Sequence, residues 1–291
     1  MSAGDLTLSF PAQAPKTGIL LLAHGGSAEW NARVADVAAA VNASQATEVA
    51  LGMASRAAIQ GALDKLAARG VTDVVAVPLF VSSWSSVVTS TEYLLGLRAE
   101  APADLATFAK MNHDATTEHG AHSADGASPV STPLKIVTMA PSFNRHPLIG
   151  QIAVDRAAVI STSPEHEAVI LVAHGPVPDD DNRLWLADLA VLADRIRASR
   201  PYASVDYMTV RDDAGPAIRE AATAELRGKV SAQTAQDRRV LIVPHVMSFG
   251  GIEQGIRKRL EGLTFVMSPQ GLMPDARVID WVLLSAHHPA K

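Results

Sequence analysis

Two stretches of this sequence end an apolar run near a histidine, the side chain best suited to accept a proton or hold a metal close to neutral pH. The first, Ala168 to Pro178, reads AVILVAHGPVP and delivers His174; the second, Val240 to Gly255, reads VLIVPHVMSFGGIEQG and delivers His245. Each run has the length of a strand and stops at a polar turn. In a parallel sheet covered by helices, ligands collect outside the carboxyl ends of the strands, so both imidazoles are expected to face one crevice. Glu253 follows Gly250 and Gly251, falls in the expected first turn of a helix, and is expected to reach the same crevice. Two histidines and a carboxylate suit a borderline divalent metal as ligands or proton-transfer groups.

The elements that position these residues follow from composition and rhythm. A chain of 291 residues, 48% hydrophobic and 19% charged, is enough for one large core or two ordinary ones. A net charge of −5 and 4% aromatic residues argue against nucleic acid, which favours a basic face and stacking rings. No apolar run approaches the roughly 20 residues of a bilayer-spanning helix, and the first residues lack the basic-then-apolar order of a secretory signal. A cytoplasmic protein with no membrane partner is the expectation. With no cysteine in the chain, any metal site must use imidazole and oxygen.

Residues 1–17 read as a leader. Gly18 to Ala23 is a near-continuous apolar run, as in strands buried on both faces, and it stops at His24-Gly25-Gly26-Ser27. Helical spacing follows over Glu29 to Val41, then a short strand, a helix over Ala57 to Arg69 and a strand over Thr72 to Val81. A helix is expected over Ser82 to Leu97. Between about 98 and 133 the rhythm collapses, and the segment reads as an insertion mobile over its middle. A strand at Leu134 to Met139 and a helix from Pro147 to Ile160 complete an N-terminal lobe, 18–160. Ser161 to Pro164 marks the boundary with a C-terminal lobe, 165–291.

The second half repeats the first. LLLAHGG at His24 returns as ILVAHGP at His174, an offset of 174 − 24 = 150, and VVAVPLFVSS at Pro78 returns as VLIVPHVMSF at Pro244, an offset of 244 − 78 = 166. The fold class this predicts is α/β: two similar lobes, each a four-stranded, mainly parallel sheet flanked by helices. A single histidine at a strand end ordinarily only satisfies backbone groups. A turn that needed only glycine would not carry the same histidine twice. The halves diverge after the second proline, where Leu79 and Val87 stand opposite His245 and Glu253. The chemistry is therefore expected in the second half. Asp212 and Asp213, after the strand Val205 to Val210, are either further ligands or helix caps. His113, His119 and His122 in the insertion are either metal scavengers or solvated loop residues.

Other chemistries fit less well. No G-x-S-x-G follows the HGG at His24, as a serine hydrolase would need. Alanine, not arginine, precedes both His-Gly pairs, unlike histidine phosphatases, and neither a dinucleotide fingerprint nor a Walker loop is present.

The strand-then-AHG signature at His174, the VP-terminated strand at Pro244, the Ile252-Glu253 pair and the duplicated plan resemble the class II tetrapyrrole chelatases, the group of ferrochelatase, sirohydrochlorin chelatase and the anaerobic cobalt chelatase. The resemblance covers the chain except residues 1–17 and the insertion. It implies an ATP-independent lyase that inserts Co²⁺, Fe²⁺ or Ni²⁺ into sirohydrochlorin or a related tetrapyrrole, on the way to siroheme or cobalamin. The metal is then a substrate, no organic cofactor is needed, and the protein is a monomer or homodimer. By this resemblance His174 is the metal-site and proton-accepting histidine, and Glu253 is the acidic residue across the macrocycle from it. His24 matches the same family histidine. The small chelatases place a second histidine where this chain has Ile252, and Ser86 in the first half, so His245 is expected to replace that ligand. The implied metal set is His174, His245, Glu253 and His24, with His174 and Glu253 catalytic; Arg183, Arg211 and Arg257 are candidate partners for the macrocycle's carboxylates. The alternative is a protein of the same fold that binds metal or tetrapyrrole without catalysis.

Overall fold

The computed structural model describes residues 16–114 and 126–288; most of the leader, together with His119 and His122, falls outside the described residues. Two four-stranded sheets account for the strands. The first holds β1 (Thr17–Ala23), β2 (Thr47–Leu51), β3 (Asp73–Pro78) and β4 (Lys135–Met139) in the order β2-β1-β3-β4, and the second holds β5 (Glu167–Ala173), β6 (Ser204–Thr209), β7 (Arg239–His245) and β8 (Val266–Met267) in the order β6-β5-β7-β8. Every ladder is parallel. The two strand orders are the same permutation, as the sequence repeat requires.

Alternation explains the unbroken apolar runs of the central strands. Ile19, Leu21 and Ala23 point to one layer of the first lobe and Leu20 and Leu22 to the other. Val169, Leu171 and Ala173 likewise oppose Ile170 and Val172. Both faces are covered by helices, which leaves no polar side of the sheet.

The covering helices are exchanged between the lobes. Helix α1 (Ala28–Asn42) and α2 (Arg56–Ala68) flank the first sheet, with α3 (Ser86–Leu94) beside α2, while α6 (Asp179–Ser199), α7 (Pro216–Thr234) and α8 (Ile252–Arg259) flank the second. Helix α5 (Pro147–Ile160) ends the first half of the chain yet packs on β7 and α6, where Ala153 and Ala157 join the second core. Helix α9 (Ala276–His287) ends the second half and packs on β3 and α1. Its Trp281 is fully buried and meets Phe143 edge-on, ring centroids 4.5 Å apart. Met247, Leu272 and Met273 of the second half join this same core. Consecutive halves of the chain are thus interlocked in space.

The region expected to be an aperiodic insertion contains a helix, α4 (Leu105–Asp114). Its one apolar i,i+3 pair, Leu105 and Phe108, packs into the core beneath α2, and Asn112 donates to the Met53 carbonyl at 2.8 Å. A single such pair among Ala, Thr and polar residues is too faint a period to read from sequence. Ser27 and Ser55 cap α1 and α2. His146, which the sequence left without a role, accepts from Leu148 N and caps α5 ahead of Pro147. Among the described residues no helix is long and apolar enough to cross a membrane.

At the mouth of β5, Glu167 is buried and accepts hydrogen bonds from Ser161 Oγ at 2.6 Å, Thr162 N at 2.9 Å and Arg239 at 2.6 Å. Burial alone would raise its pKa, but these bonds outweigh it and hold the carboxyl at about 2. The folded pKa lies below the unfolded one, so the stabilisation is present above about 4.5 and disappears as pH falls toward about 2. Glu167→Gln is expected to cost on the order of 3 kcal/mol at neutral pH and to flatten the acid limb of a urea-denaturation series; an unchanged limb would show that Glu167 does not carry it. Because the helices are exchanged, the chain is expected to unfold in one transition. Trp281→Ala is expected to lower stability by about 3–5 kcal/mol in that one transition, and separate melting of two lobes in calorimetry would contradict the interlock.

Candidate active site

Each AHG turn is built the same way. β1 ends at Ala23 and β5 at Ala173; a histidine follows, and then a glycine with positive φ, +80° at Gly25 and +78° at Gly175, turns the chain back into a helix. At Gly175 a side chain would also collide with the next strand, since its Cβ would lie 2.5 Å from Thr209 Cβ. At Gly25 the nearest atom would be 3.9 Å away.

His24 reaches solvent at its edge, while its ring lies 4.4 Å from Trp30 and 6.2 Å from Phe80 between centroids. Nδ1 contacts the Gly25 carbonyl oxygen. Asn31 holds the turn by accepting from Gly26 N at 2.9 Å and donating to Gly26 O at 3.2 Å. Burial pushes the His24 pKa below the ordinary imidazole value, the Gly25 contact raises it, and the nearby His174 lowers it again. His24 is thereby biased toward the neutral form that has a lone pair to give.

His174 is partly exposed, at 27% of its side chain, with Nε2 3.4 Å from Asp213 Oδ2. The loop beyond it is clamped by Arg211, a residue with φ of 51°. Arg211 N donates to His174 O, Nε donates to Pro176 O at 3.2 Å, and the guanidinium also meets Val177 O and Asp179. Neither Asp212 nor Asp213 caps α7, whose cap position is Gly215. Asp212 pairs with Arg259 and Asp213 with His174.

His245 and Glu253 occupy places different from those expected. His245 pairs in register with Ala173 and shares the sheet face of Leu241 and Val243, under the layer of α5 and α6. It is 1% exposed, its Nδ1 has no partner, and burial lowers its pKa to about 4. It is neutral core, sealed from the turn that carries His174. Strand alternation decided this, because the position just after Pro244 belongs to the inward face. Glu253 is also buried; its Oε2 accepts from Gly250 N at 3.1 Å and Gly251 N at 3.0 Å, which braces the first turn of α8 in the manner favoured near helix amino termini. That loop borders the other lobe's histidine, since a Cβ on Gly250 would sit 3.7 Å from Trp30 Cδ1. Among the described residues no three His, Asp or Glu side chains gather to hold a metal. Of the four expected ligands, His24 and His174 end the central strands of the two sheets in matching turns, while His245 is buried in the second core and Glu253 is spent on the Gly250 and Gly251 amides.

The arginines considered for anionic substrate groups are mostly committed. Arg183 pairs with Asp180 and Arg211 with the His174 loop, while Arg257 is exposed. A hollow of about 280 Å³ lies between α6 and α7, lined by Leu186, Met208, Thr209 and Ile218 among others. Neither histidine lines it. The residues that sequence reasoning missed are Trp30 and Phe80, which crowd His24, and Asp213 as the partner of His174. Asp213 had been weighed only as ligand or cap; Trp30 carried a usable signal, since it follows the HGG turn by one helical cap.

Two parallel sheets of matching order, with a histidine turn at the end of each central strand, form a fold that recurs among known proteins. Residues 18–158, the first lobe, match the family model described as CbiX. No curated protein is significantly similar to the chain in sequence. Solved structures with the same fold include SirB from Bacillus subtilis with Fe³⁺, at 16% identity and a TM-score of 0.60 over 94% of this chain and 96% of that one. SirB from Bacillus subtilis subspecies spizizenii in complex with cobalt is 13% identical with a TM-score of 0.56, over 94% and 97% of the two chains. CbiX, described as the terminal enzyme for siroheme biosynthesis in denitrifying bacteria, is 13% identical with a TM-score of 0.50, over 94% and 99%. The family match falls on the half that carries His24, whereas the sequence had directed attention to the half with His174.

The two turns should respond differently to the same substitution. Gly175→Ala combines positive-φ strain with the Thr209 collision and is expected to cost about 2–3 kcal/mol, while Gly25→Ala bears the strain alone and is expected to cost about 1 kcal/mol. Chemical denaturation of both variants checks the order; equal losses would show that the Thr209 contact relaxes freely.

Proposed function

We propose that the protein inserts a divalent first-row metal ion into sirohydrochlorin or a closely related tetrapyrrole, without ATP, using His24 and His174. The observation that carries this reading is the duplicated histidine turn, one in each lobe, at the carboxyl ends of the two central strands. The names of the structurally similar proteins, SirB with Fe³⁺ or cobalt and CbiX of siroheme biosynthesis, support the substrate class.

The chemistry asks little of the protein beyond placement. As M²⁺ enters the ring, two pyrrole N–H protons leave, so the net charge of the macrocycle is unchanged. A neutral imidazole replaces water on the incoming ion, and a second imidazole takes a pyrrole proton and passes it to solvent. His24, biased neutral, suits the first task. His174, which borders the exposed carboxylate of Asp213, suits the second. Both imidazoles first hold the incoming ion, loosely enough to release it, unlike a closed four-ligand cage, and the His174 lone pair accepts a pyrrole proton once the ion has passed to the ring. Trp30 and Phe80 supply apolar surface beside His24 for the ring. Imidazole ligands accept Co²⁺, Fe²⁺ and Ni²⁺ alike, so metal choice rests with supply and ring geometry.

A second reading, binding without turnover, is favoured by one observation: among the described residues no three His, Asp or Glu side chains gather to hold a metal. A spectrophotometric assay separates the two. Purified protein mixed with sirohydrochlorin and Co²⁺ is expected to show the absorbance change of metallation faster than the protein-free reaction, with His24→Ala and His174→Ala each reducing the rate at least about 100-fold and His245→Leu retaining most of it. Saturable binding with no acceleration would favour the carrier, and full rates in both alanine variants would remove the two histidines from the mechanism.

A further inference from the structure

We infer that Asp188, on α6 of the second lobe, is a positioning residue for the first lobe's site: through Trp84 it holds the loop whose Phe80 forms one aromatic wall beside His24. Phe80 lies near the start of residues 79–85, the loop between β3 and α3, and its ring centroid is 6.2 Å from that of His24. The far end of the loop is tied to the other lobe. Trp84 Nε1 donates to Asp188 Oδ2 at 3.0 Å, and Trp185 Nε1 donates to Trp84 O at 2.7 Å. Asp188 and Trp185 are i,i+3 neighbours on α6 and share one face, so that face grips both the side chain and the backbone of a single residue. Trp84 is 39% exposed, so these two bonds, more than packing, fix its place.

Packing gives no reason for a carboxylate at this position. The other buried residues of α6 are Trp185, Leu189, Leu192, Ala193 and Ile196, and an acid buried among them is costly unless it is paired. Among the described residues both of its partners come from the first lobe: the Trp84 indole, and Arg145, whose Nε is 3.7 Å from Oδ1. The segment that delivers Arg145 also stiffens the loop. Ser83 N donates to Asn144 Oδ1 at 2.7 Å, Asn144 Nδ2 to Ser83 Oγ at 3.1 Å, Ser142 N to Ser83 Oγ at 2.8 Å and Phe143 N to Phe80 O at 3.1 Å. Loop and segment are one braced piece, and the hold on Trp84 is transmitted to Phe80. The repeat carries a counterpart, since Trp84 follows Pro78 as Gly250 follows Pro244, 84 − 78 = 250 − 244 = 6. Gly250 lies against Trp30, the other aromatic neighbour of His24. The second lobe thus reaches both walls of the first lobe's histidine, one by direct contact and one through Trp84.

The effect on metallation rests on the proposed function; the hold on Phe80 does not, and the experiment separates them. Full-length protein carrying ¹³C-labelled histidine is studied without metal by ¹H–¹³C correlation above the ordinary imidazole pKa of about 6.5, where the His24 ring protons report the ring currents of Phe80 and Trp30. Hydrogen exchange over residues 79–85 follows the loop. Asp188→Ala is expected to shift the His24 ring signals and speed exchange in the loop, and Asp188→Asn, which keeps an acceptor oxygen for Trp84, to restore both. Trp84→Phe combined with Asp188→Leu removes both polar partners, a change that can be nearly neutral for stability, and is expected to shift the same signals in a folded protein. In turnover that double variant is expected to raise KM for sirohydrochlorin about 10-fold with kcat nearly constant, the mark of lost ring binding. Unmoved His24 signals or unchanged loop exchange in the double variant, shifted signals that Asp188→Asn fails to restore, or an unchanged KM beside shifted signals overturns the inference. Shifted and restored signals in a protein that does not metallate sirohydrochlorin would uphold the inference and overturn the proposed function instead.

Discussion

The exchange of α5 and α9 fixes how the two sheets face one another, and the geometry of the site depends on it. Neither lobe can bury both faces of its sheet with helices from its own half: the layer of β1 and β3 is completed by Val278, Trp281 and Val282 of α9, and the layer of β5 and β7 by Ala153 and Ala157 of α5. Burial of apolar surface is the main favourable term in folding, so the two halves are stable only in one mutual arrangement. That arrangement sets the His24 and His174 turns, 150 residues apart in sequence, at the carboxyl ends of the two central strands. A site built from two strand ends gains its rigidity from the sheets and its composite character from the exchange.

Within this pseudo-symmetric frame the two turns have diverged in their surroundings. His24 is stacked against Trp30 and Phe80 and faces a carbonyl; His174 faces a carboxylate and a loop clamped by Arg211. The Gly250 to Glu253 loop of the second half lies against Trp30 and so borders the first half's histidine. The repeat thus carries two copies of one histidine turn, each with a different neighbour. Tasks that need a metal ligand and a proton acceptor at once are served by such a pair better than by two identical groups.

Much of the fold was legible in the sequence because its signals are local and repeated. The apolar runs at Gly18 and Ala168, the AHG turns and the Pro78 and Pro244 strand ends returned in the same order, and they specified two parallel sheets of one topology. The helix exchange was not legible: α5 has the expected length and place in the chain, and nothing in an amphipathic pattern says which sheet a helix covers. Helix α4 escaped because Leu105 and Phe108 are its only buried apolar residues. At the site, the duplication of the histidine turn was visible because repetition is a property of the sequence itself, although the chemistry was expected in the second half alone. His245 and Glu253 were placed with them because both follow a strand, and the sequence does not say which face a residue at a strand end takes or whether a carboxylate is already spent on nearby amides. The register Ala173 to His245 and the amides of Gly250 and Gly251 supplied that information.

The central claim is that His24 and His174 together receive the metal ion. X-ray absorption of the Co²⁺-loaded protein tests it most directly, since imidazole shells are distinguished from oxygen donors by their multiple scattering. Two imidazoles per cobalt are predicted in the wild type, falling to one in His24→Ala and one in His174→Ala, and remaining two in His245→Leu. A cobalt shell of oxygen alone, or an imidazole count that responds to His245 and not to His24 and His174, would contradict the account.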